Sequence, residues 1–370
     1  MKYIPELDGL RGIAAVSVVA LHWQPEAFFW GWAGVNLFFV LSGYLIGTIV
    51  LEAVLERRFS PLQFYYRRTL RIWPVYYAAL AAILCYHLVV QGGAFFDSKY
   101  FSDWLRSLVF LQFTPFYTMP GVDPNQIFDF LPGMLPIWSL AVEEQFYLLL
   151  PALLLLLVPR IGIRATALLL LAIAVMAPVM RLEGYVPVLL ITQADGLMLG
   201  VILAAITAQG GDRVIGSISA RRIYAIMVVF GSVMLMPYLL SGYRGNVDAE
   251  DLFSNPLLWT WANILFFGII GMVVDFSGSR FVSALRSRPL LYLGSISYAL
   301  YMFHYPLLAF IKPRLVAFLG PDLYWLAMLL TGVLIIGLPH LSKVYLERPI
   351  LSLKDRFPVR LSDKSFQVAG

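Results

Sequence analysis

Three ionisable residues, Asp8, Arg11 and His22, lie at the start of the first apolar segment of the chain or within it. His22 follows Arg11 by eleven positions, so at about 100° per residue their side chains fall within roughly 20° of each other on a helix. Asp8 precedes Arg11 by three positions and lies near the same line. Ionisable residues in a membrane span face a bundle interior or a wet cavity, and they indicate a functional site. The alternative is a structural Asp–Arg pair with a buried core histidine.

Two adjacent acidic residues, Glu143 and Glu144, lie near the start of a later apolar segment. Adjacent residues of a helix point about 100° apart, so the two carboxylates face different neighbours. Counted at 1.5 Å per residue from the ends of their segments, His22 and these carboxylates lie at similar depths in the membrane, nearer its outer face. A carboxylate on one imidazole nitrogen raises the basicity of the other, as a general base requires. We therefore predict that Glu143 or Glu144 orients His22, with a buried structural hydrogen bond as the alternative.

The strongest concentration of positive charge is Arg67, Arg68 and Arg71, just before Pro74. Their i, i+3 and i, i+4 spacings would cluster the guanidinium groups on a helix. A guanidinium fork binds two phosphate oxygens at once, so we predict that these arginines bind an anionic donor. The alternative is a topology signal plus contact with anionic lipid headgroups, which is the interpretation that we favour for the earlier Arg57 and Arg58.

Further polar residues in the apolar segments carry weaker signals. Asp195 is either structural or a wall of the site, and His304 is either a core residue or a site residue. His87 and His340 lie near segment ends and are not expected to be catalytic. Ser42 precedes a glycine without the flanking pattern of a nucleophile elbow, so helix packing is the better interpretation.

Several function classes lack their sequence signatures in this chain. There is no Gly-x-x-x-x-Gly-Lys loop, no His-Glu-x-x-His motif and no Cys/His cluster, so neither ATP hydrolysis nor metal catalysis is indicated. The single cysteine, Cys85, excludes a disulfide framework within the chain. We predict no bound cofactor, no metal site and no nucleic-acid partner.

The composition is that of a membrane protein. Of the 370 residues 60% are hydrophobic and only 13% are charged, far from the soluble average. The net charge of +5 comes from basic residues in the loops, which indicates topology rather than nucleic-acid binding. Asp8 and Arg11 interrupt the N-terminal segment, so we do not expect a cleaved signal peptide.

Ten apolar segments are long enough to span a bilayer. They are residues 10–29, 33–54, 72–90, 137–158, 165–181, 186–206, 223–241, 258–275, 290–311 and 322–342. Most of the 27 Lys and Arg residues fall on the side of both termini, which predicts that this side is cytoplasmic. We expect an all-α polytopic membrane protein of about ten transmembrane helices, with both termini cytoplasmic and no internal repeat of the transporter kind.

Two outer loops are long. Residues 91–136 are rich in aromatics, including Phe113, Phe116 and Tyr117, and an interfacial helix is expected near Trp104–Leu111. Residues 242–257 carry acidic side chains, at positions 248, 250 and 251. The aromatic residues could contact a sugar or lipid acceptor or form a membrane-surface belt.

Taken together, the motifs resemble the acyltransferase type 3 family of integral membrane O-acyltransferases. The resemblance covers about residues 3–350 and rests on Leu-Asp-Gly-Leu-Arg-Gly with His22, Phe-Phe-Val-Leu-Ser-Gly-Tyr-Leu-Ile, Arg-Arg-x-x-Arg-Ile-x-Pro, Trp-Ser-Leu-x-Val-Glu-Glu-Gln-Phe-Tyr, Ile-Ser-Tyr-x-Leu-Tyr-x-x-His and Glu347-Arg348-Pro349. Asn36 stands where the family commonly has Asp, so we assign it no charge role.

The resemblance implies acyl transfer, usually of acetyl, from cytoplasmic acyl-CoA to a hydroxyl of an envelope carbohydrate such as exopolysaccharide, O-antigen or a lipid-linked sugar. A small glycoside or macrolide-type acceptor is the alternative. His22 and Arg11 carry over as active-site residues, Glu143 or Glu144 as the site acid, and the arginines of the 67–71 segment as donor-side residues.

The resemblance also implies a domain over residues 1–350, a short basic cytoplasmic tail over 351–370 and residence in the bacterial inner membrane. Some family members carry a fused esterase-like domain; we expect none here, so a partner for a second step would be a separate protein.

The physical interpretation and the resemblance predict the same mechanism. The arginines hold the donor phosphates, and the thioester arm runs along the Asp8–Arg11–His22 line. His22 then deprotonates the acceptor hydroxyl or takes up the acyl group itself, and we favour direct transfer. A proton-coupled transporter or flippase also needs buried charges. It has no particular need for a cytoplasmic arginine cluster combined with a histidine near the outer face of the membrane. A non-catalytic lipid-binding scaffold leaves the ionisable stripe unexplained.

Overall fold

The structure is a computed structural model, and it describes residues 3–110, 131–210, 219–243 and 255–356. The described residues form α-helices joined by short turns, without a β-strand. The helices are α1 (Pro5–Trp23), α2 (Ala33–Leu55), α3 (Pro61–Gln91), α4 (Lys99–Ser107), α5 (Trp138–Leu182), α6 (Ala194–Ala208), α7 (Ala220–Tyr243), α8 (Leu258–Asp275), α9 (Arg288–Pro306), α10 (Lys312–Leu319), α11 (Tyr324–Ser342) and α12 (Arg348–Leu351).

Some sequence features lie outside the described residues. They are Phe113, Phe116 and Tyr117 of the first long loop, the three acidic residues at 248, 250 and 251, and the tail beyond residue 356.

Eight helical stretches among the described residues are long and apolar enough to span a membrane. Two features account for the difference between these eight stretches and the ten predicted segments. Helix α1 has 19 residues but carries Glu6, Asp8 and Arg11. Helix α5 is interrupted at Gly162, whose φ of 77° and ψ of 167° leave the helical region, so its two halves match two predicted segments. The prediction of an all-α polytopic membrane protein is confirmed.

Three predicted boundaries differ from the observed ones. Helix α3 begins at Pro61 rather than at residue 72, so the arginine cluster is part of the helix. The segment predicted over 186–206 is regularly α-helical only from Ala194, after a short 3₁₀ turn. The helix expected near Trp104–Leu111 is observed at Lys99–Ser107.

Helix α1 lies in close backbone contact with α9 and also packs on α2. A Cβ atom on Gly294 would overlap the carbonyl oxygen of Asp8, and one on Gly12 would lie 2.7 Å from the carbonyl oxygen of Leu290. Small residues at helix crossings let backbones approach closely within a membrane. The ionisable residues of α1 are therefore held at a fixed distance from α9, the helix that carries His304.

The same device joins α2 and α6. A Cβ on Gly43 would overlap the carbonyl oxygen of Leu197, and Gly200 lies against Gly43 across the contact. This confirms the packing interpretation for the Ser42–Gly43 pair as far as the glycine is concerned. The serine has a different environment, described below.

Candidate active site

Arg11, Arg68 and Arg71 line a cavity of about 480 Å³ at the N-terminal end of α1. We call it the arginine cavity. Asp8 also lines it, 3.7 Å from the Arg11 guanidinium, so the predicted Asp8–Arg11 pair is present. Tyr3 donates a 2.6 Å hydrogen bond to the Asp8 carboxylate, and this bond raises the pKa of Tyr3 to about 12. One carboxylate thus lies among three guanidinium groups, which leaves an excess of positive charge suited to an anion.

A smaller cavity of about 90 Å³ lies deeper in the bundle, and the same three arginines line it too. We call it the inner cavity. Its polar wall is a chain of hydrogen bonds: the Tyr147 hydroxyl lies 2.6 Å from the Ser42 hydroxyl and donates a 2.8 Å bond to Glu143. Because a carboxylate only accepts, the Tyr147 proton points to Glu143 and the Ser42 proton points to Tyr147. The Arg68 guanidinium lies over the Tyr147 ring, 5.7 Å from its centre.

Glu144 has a separate environment, as its position next to Glu143 predicted. Its carboxylate accepts a 3.4 Å hydrogen bond from the Trp73 indole, and its other oxygen is buried without a partner among the described residues. Glu144 is not among the residues that line the inner cavity. Of the two carboxylates, Glu143 is therefore the one that faces the cavity.

His22 lies against a second histidine rather than a carboxylate. Its Nδ1 atom is 3.0 Å from the carbonyl oxygen of Val18 and 3.1 Å from Nε2 of His304. The ring of Tyr305 lies edge-on to His22 at 5.0 Å. We expected Glu143 or Glu144 to contact His22. In the structure these carboxylates accept hydrogen bonds from Tyr147 and Trp73 instead, and the side chain that contacts His22 Nδ1 is His304.

Tyr301 connects the histidine pair to the inner cavity. Its ring lines the cavity, and its backbone carbonyl accepts a 2.7 Å hydrogen bond from Nδ1 of His304. Its hydroxyl lies 2.7 Å from the Ser139 hydroxyl and donates a 2.8 Å bond to the carbonyl of Pro136. The histidines thus lie one residue behind the cavity wall.

A groove of about 900 Å³ lies at the other end of α1. Trp23, the residue after His22, lines it together with Lys312 and Trp325. The Lys312 ammonium lies 5.6 Å from the centre of the Trp23 ring. Because α1 crosses the bundle, the arginine cavity and this groove open at opposite ends of the same helix.

Arg67 departs from the predicted cluster. It is exposed and lines neither the arginine cavity nor the inner cavity. The face of α3 that borders the cavities runs through Arg68, Arg71 and Ile72, and Arg67 lies about 100° from Arg68 around the helix. The structure thus brings together two of the three predicted arginines and adds Arg11.

The other polar candidates lie away from the cavities. Asp195 forms an almost fully buried ion pair with Arg181 at 2.8 Å and accepts a hydrogen bond from Thr260. His87 is buried with one ring nitrogen 3.3 Å from the carbonyl of Pro132, and His340 contacts the hydroxyl of Tyr292 at 2.9 Å.

Asn36 is also placed by its hydrogen bonds. Its side-chain amide donates to the carbonyl of Trp259 at 3.2 Å and to the side-chain oxygen of Asn263 at 2.8 Å. A carboxylate has no proton to donate to either partner, so an amide suits this position and an ionised aspartate does not.

Sequence reasoning did not single out Ser42, Tyr147 or Tyr301 as site residues. Two of them had a detectable signal, because Tyr147 follows Glu143 by one helical turn and Tyr301 precedes His304 by one turn. Tyrosines at this spacing from an ionisable residue are common in apolar helices, and only the shared cavity distinguishes these two.

The fold and the cavities together define a polytopic α-helical membrane protein with a polar, arginine-lined cavity inside the bundle. Residues 4–340 match the model of the acyltransferase domain family. The chain belongs to this family, and the expectation of an acyltransferase is confirmed at the level of the family.

Three relatives illustrate the similarity, each 28% identical over 94% of this chain. They are the peptidoglycan O-acetyltransferase OatA of Listeria monocytogenes, the O-acetyltransferase OatA of Staphylococcus aureus and the putative peptidoglycan O-acetyltransferase YrhL of Bacillus subtilis. The matched region is 56%, 57% and 55% of those proteins, so this chain spans just over half their length. No solved structure shows significant similarity.

Proposed function

We propose that this protein is a membrane O-acyltransferase that moves an acyl group, acetyl in the first instance, from cytoplasmic acyl-CoA to a hydroxyl of an envelope carbohydrate. The observation that carries the proposal is the arrangement along α1. The helix presents Arg11 to an arginine-lined cavity at one end and His22 to a histidine partner near the other. Eleven residues of helix place them roughly 16 Å apart along the axis.

The donor enters at the arginine cavity in this proposal. Arg11, Arg68 and Arg71 bind the phosphates of the CoA nucleotide, since charge-assisted hydrogen bonds from guanidinium groups are the strongest that a protein offers to phosphate. The acylated arm then extends through the inner cavity toward His22. Glu143, held by Tyr147, lies beside this path.

His22 acts as the general base. It removes the proton of the acceptor hydroxyl while the oxygen attacks the thioester carbonyl carbon. The carbon–sulfur bond then breaks, and the departing CoA sulfur receives the proton from His22. No group other than donor and acceptor is consumed.

The acceptor approaches from the groove at Trp23. The aromatic rim and Lys312, the one cation among the described lining residues, suit a sugar carried on a lipid phosphate. Aromatic rings stack on apolar sugar faces or lie among lipid chains, and a lysine binds phosphate as a point charge. The names of the three relatives point in the same direction, since each contains O-acetyltransferase and two contain peptidoglycan.

The topology belongs to the same proposal. We place both termini in the cytoplasm and the protein in the bacterial inner membrane, with residues 1–350 as the acyltransferase domain and 351–370 as its tail. The exposed basic pair Arg57 and Arg58, between α2 and α3, supports this orientation.

The proposal is tested by acyl-CoA turnover in purified protein reconstituted in vesicles. Wild type should release CoA from acetyl-CoA, and His22→Ala should lose this activity at unchanged thermal stability. His87→Ala is the matched histidine control and should keep its turnover. A wild type that neither binds nor consumes acyl-CoA would overturn the assignment and favour a transporter.

A further inference from the structure

The hydrogen-bond partners of the histidine pair determine where its protons lie. Nδ1 of His304 is 2.7 Å from the carbonyl oxygen of Tyr301 and 3.2 Å from that of Leu300. Carbonyl oxygens accept hydrogen bonds and never donate them. Nδ1 of His304 must therefore carry a proton.

In a neutral imidazole only one of the two ring nitrogens carries a proton. With the proton on Nδ1, Nε2 of His304 is an acceptor, and His304 is fully buried, where the neutral form is favoured. This acceptor lies 3.1 Å from Nδ1 of His22, and the other neighbour of that atom is the carbonyl of Val18 at 3.0 Å. Both of these partners, which are the ones that the described residues offer to His22 Nδ1, are acceptors, so this nitrogen also carries its proton.

We infer that His304 is a positioning residue that fixes the tautomer of His22, with the proton on Nδ1 and the lone pair on Nε2. The inference names the reactive atom: Nε2 of His22 receives the proton of the acceptor hydroxyl. In the proposed mechanism His304 therefore has the orienting role that we had expected of a carboxylate, Glu143 or Glu144. Its catalytic consequence rests on the proposed function, whereas the tautomer itself does not.

A neutral partner in place of a carboxylate has a chemical consequence. When Nε2 of His22 takes up a proton, the Nδ1–H···Nε2 bond to His304 becomes charge-assisted and strengthens. Stabilisation is thus larger in the charged state than in the resting one, as catalysis requires. The rigid contact of α1 with α9 at Gly12 and Gly294 keeps the two rings in register.

The tautomer can be observed directly in the wild type. The chain contains only four histidines, so protein labelled with ¹⁵N-histidine gives few ring signals, which variants of His87 and His340 assign. We expect nitrogen shifts and proton couplings of the Nδ1–H form for both His22 and His304. A wild-type His22 that carries its proton on Nε2 would overturn the inference, whatever the enzymatic activity.

Two substitutions test the consequence for turnover. His304→Leu removes the acceptor, and we expect kcat to fall about 100-fold, within the range of general-base catalysis, with the KM for acyl-CoA unchanged. His304→Gln offers an amide oxygen to His22 Nδ1 and should recover a large part of kcat. Equal loss in both variants with the Nδ1–H signal retained, or a change confined to KM, would contradict a positioning role.

Discussion

The contrast between Arg68 and Arg67 offers the sharpest test of the donor site, because adjacent residues of the same type differ in environment. Arg68 lines both the arginine cavity and the inner cavity and lies over the rings of Phe64 and Tyr147. Arg67 is exposed and lines neither cavity. Replacing each by alanine removes the same charge and the same number of atoms.

The expected magnitude for Arg68→Ala follows from the bond that is lost. A hydrogen bond to a charged group contributes about 1.5–3 kcal/mol, which corresponds to a rise of about 10- to 150-fold in the KM for acyl-CoA. Arg68→Lys keeps the charge but loses the two-pronged guanidinium, so its KM should lie between those of wild type and Arg68→Ala. For Arg67→Ala we expect a change of less than about twofold, the usual result for an exposed charge.

The assay is steady-state release of CoA by the reconstituted protein, with acyl-CoA varied at a saturating concentration of acceptor. Thermal unfolding in the same detergent checks that each variant is folded. An equal rise in KM for both alanine variants, or a fall in kcat for Arg68→Ala with KM unchanged, would show that Arg68 does not bind the donor as proposed.

Asp195→Asn leaves Arg181 buried without its counter-charge and should lower the free energy of unfolding by about 3–5 kcal/mol, measured by thermal or denaturant unfolding in detergent; Asp275→Asn, at an exposed pair, should change it by less than about 1 kcal/mol. Tyr147→Phe removes the hydroxyl that donates to the Glu143 carboxylate in the inner cavity, so kcat should fall at constant expression and melting temperature. An unchanged kcat would show that the hydrogen bonds joining Ser42, Tyr147 and Glu143 take no part in catalysis. Gly332 also lines the groove at Trp23. Gly332→Leu should fill the groove and slow transfer to acceptor more than acyl-CoA hydrolysis, whereas Gly332→Ala, whose Cβ would lie 3.7 Å from the Trp23 side chain, should transfer like wild type.

In the proposed mechanism, helix α1 contributes both to the donor site and to the general base without a loop between them. The Asp8–Arg11 pair takes part in the arginine cavity and His22 in the histidine pair, and both lie on one helix whose rise fixes their separation. A long, flexible donor arm is suited to such a separation, because it can be bound at its charged end and react at the other.

The fold class, the family and the ionisable line on α1 were accessible from the sequence. Apolar segments of membrane length and a helical period of 3.6 residues are local properties, and they require no knowledge of neighbouring helices. The same local geometry predicted the Asp8–Arg11 pair and the divergence of Glu143 from Glu144, both of which the structure contains.

The partners across helices were decided by tertiary structure alone. Equal depth made a contact between His22 and a carboxylate plausible, but depth leaves the rotation of each helix about its axis undetermined. With α1 and α9 crossing closely at glycines, His22 faces His304. The carboxylates of Glu143 and Glu144 accept hydrogen bonds from Tyr147 and Trp73 instead. Arg67 fell outside the cavities for the same reason, because the rotation of α3 is set by what packs around it and not by its own spacing.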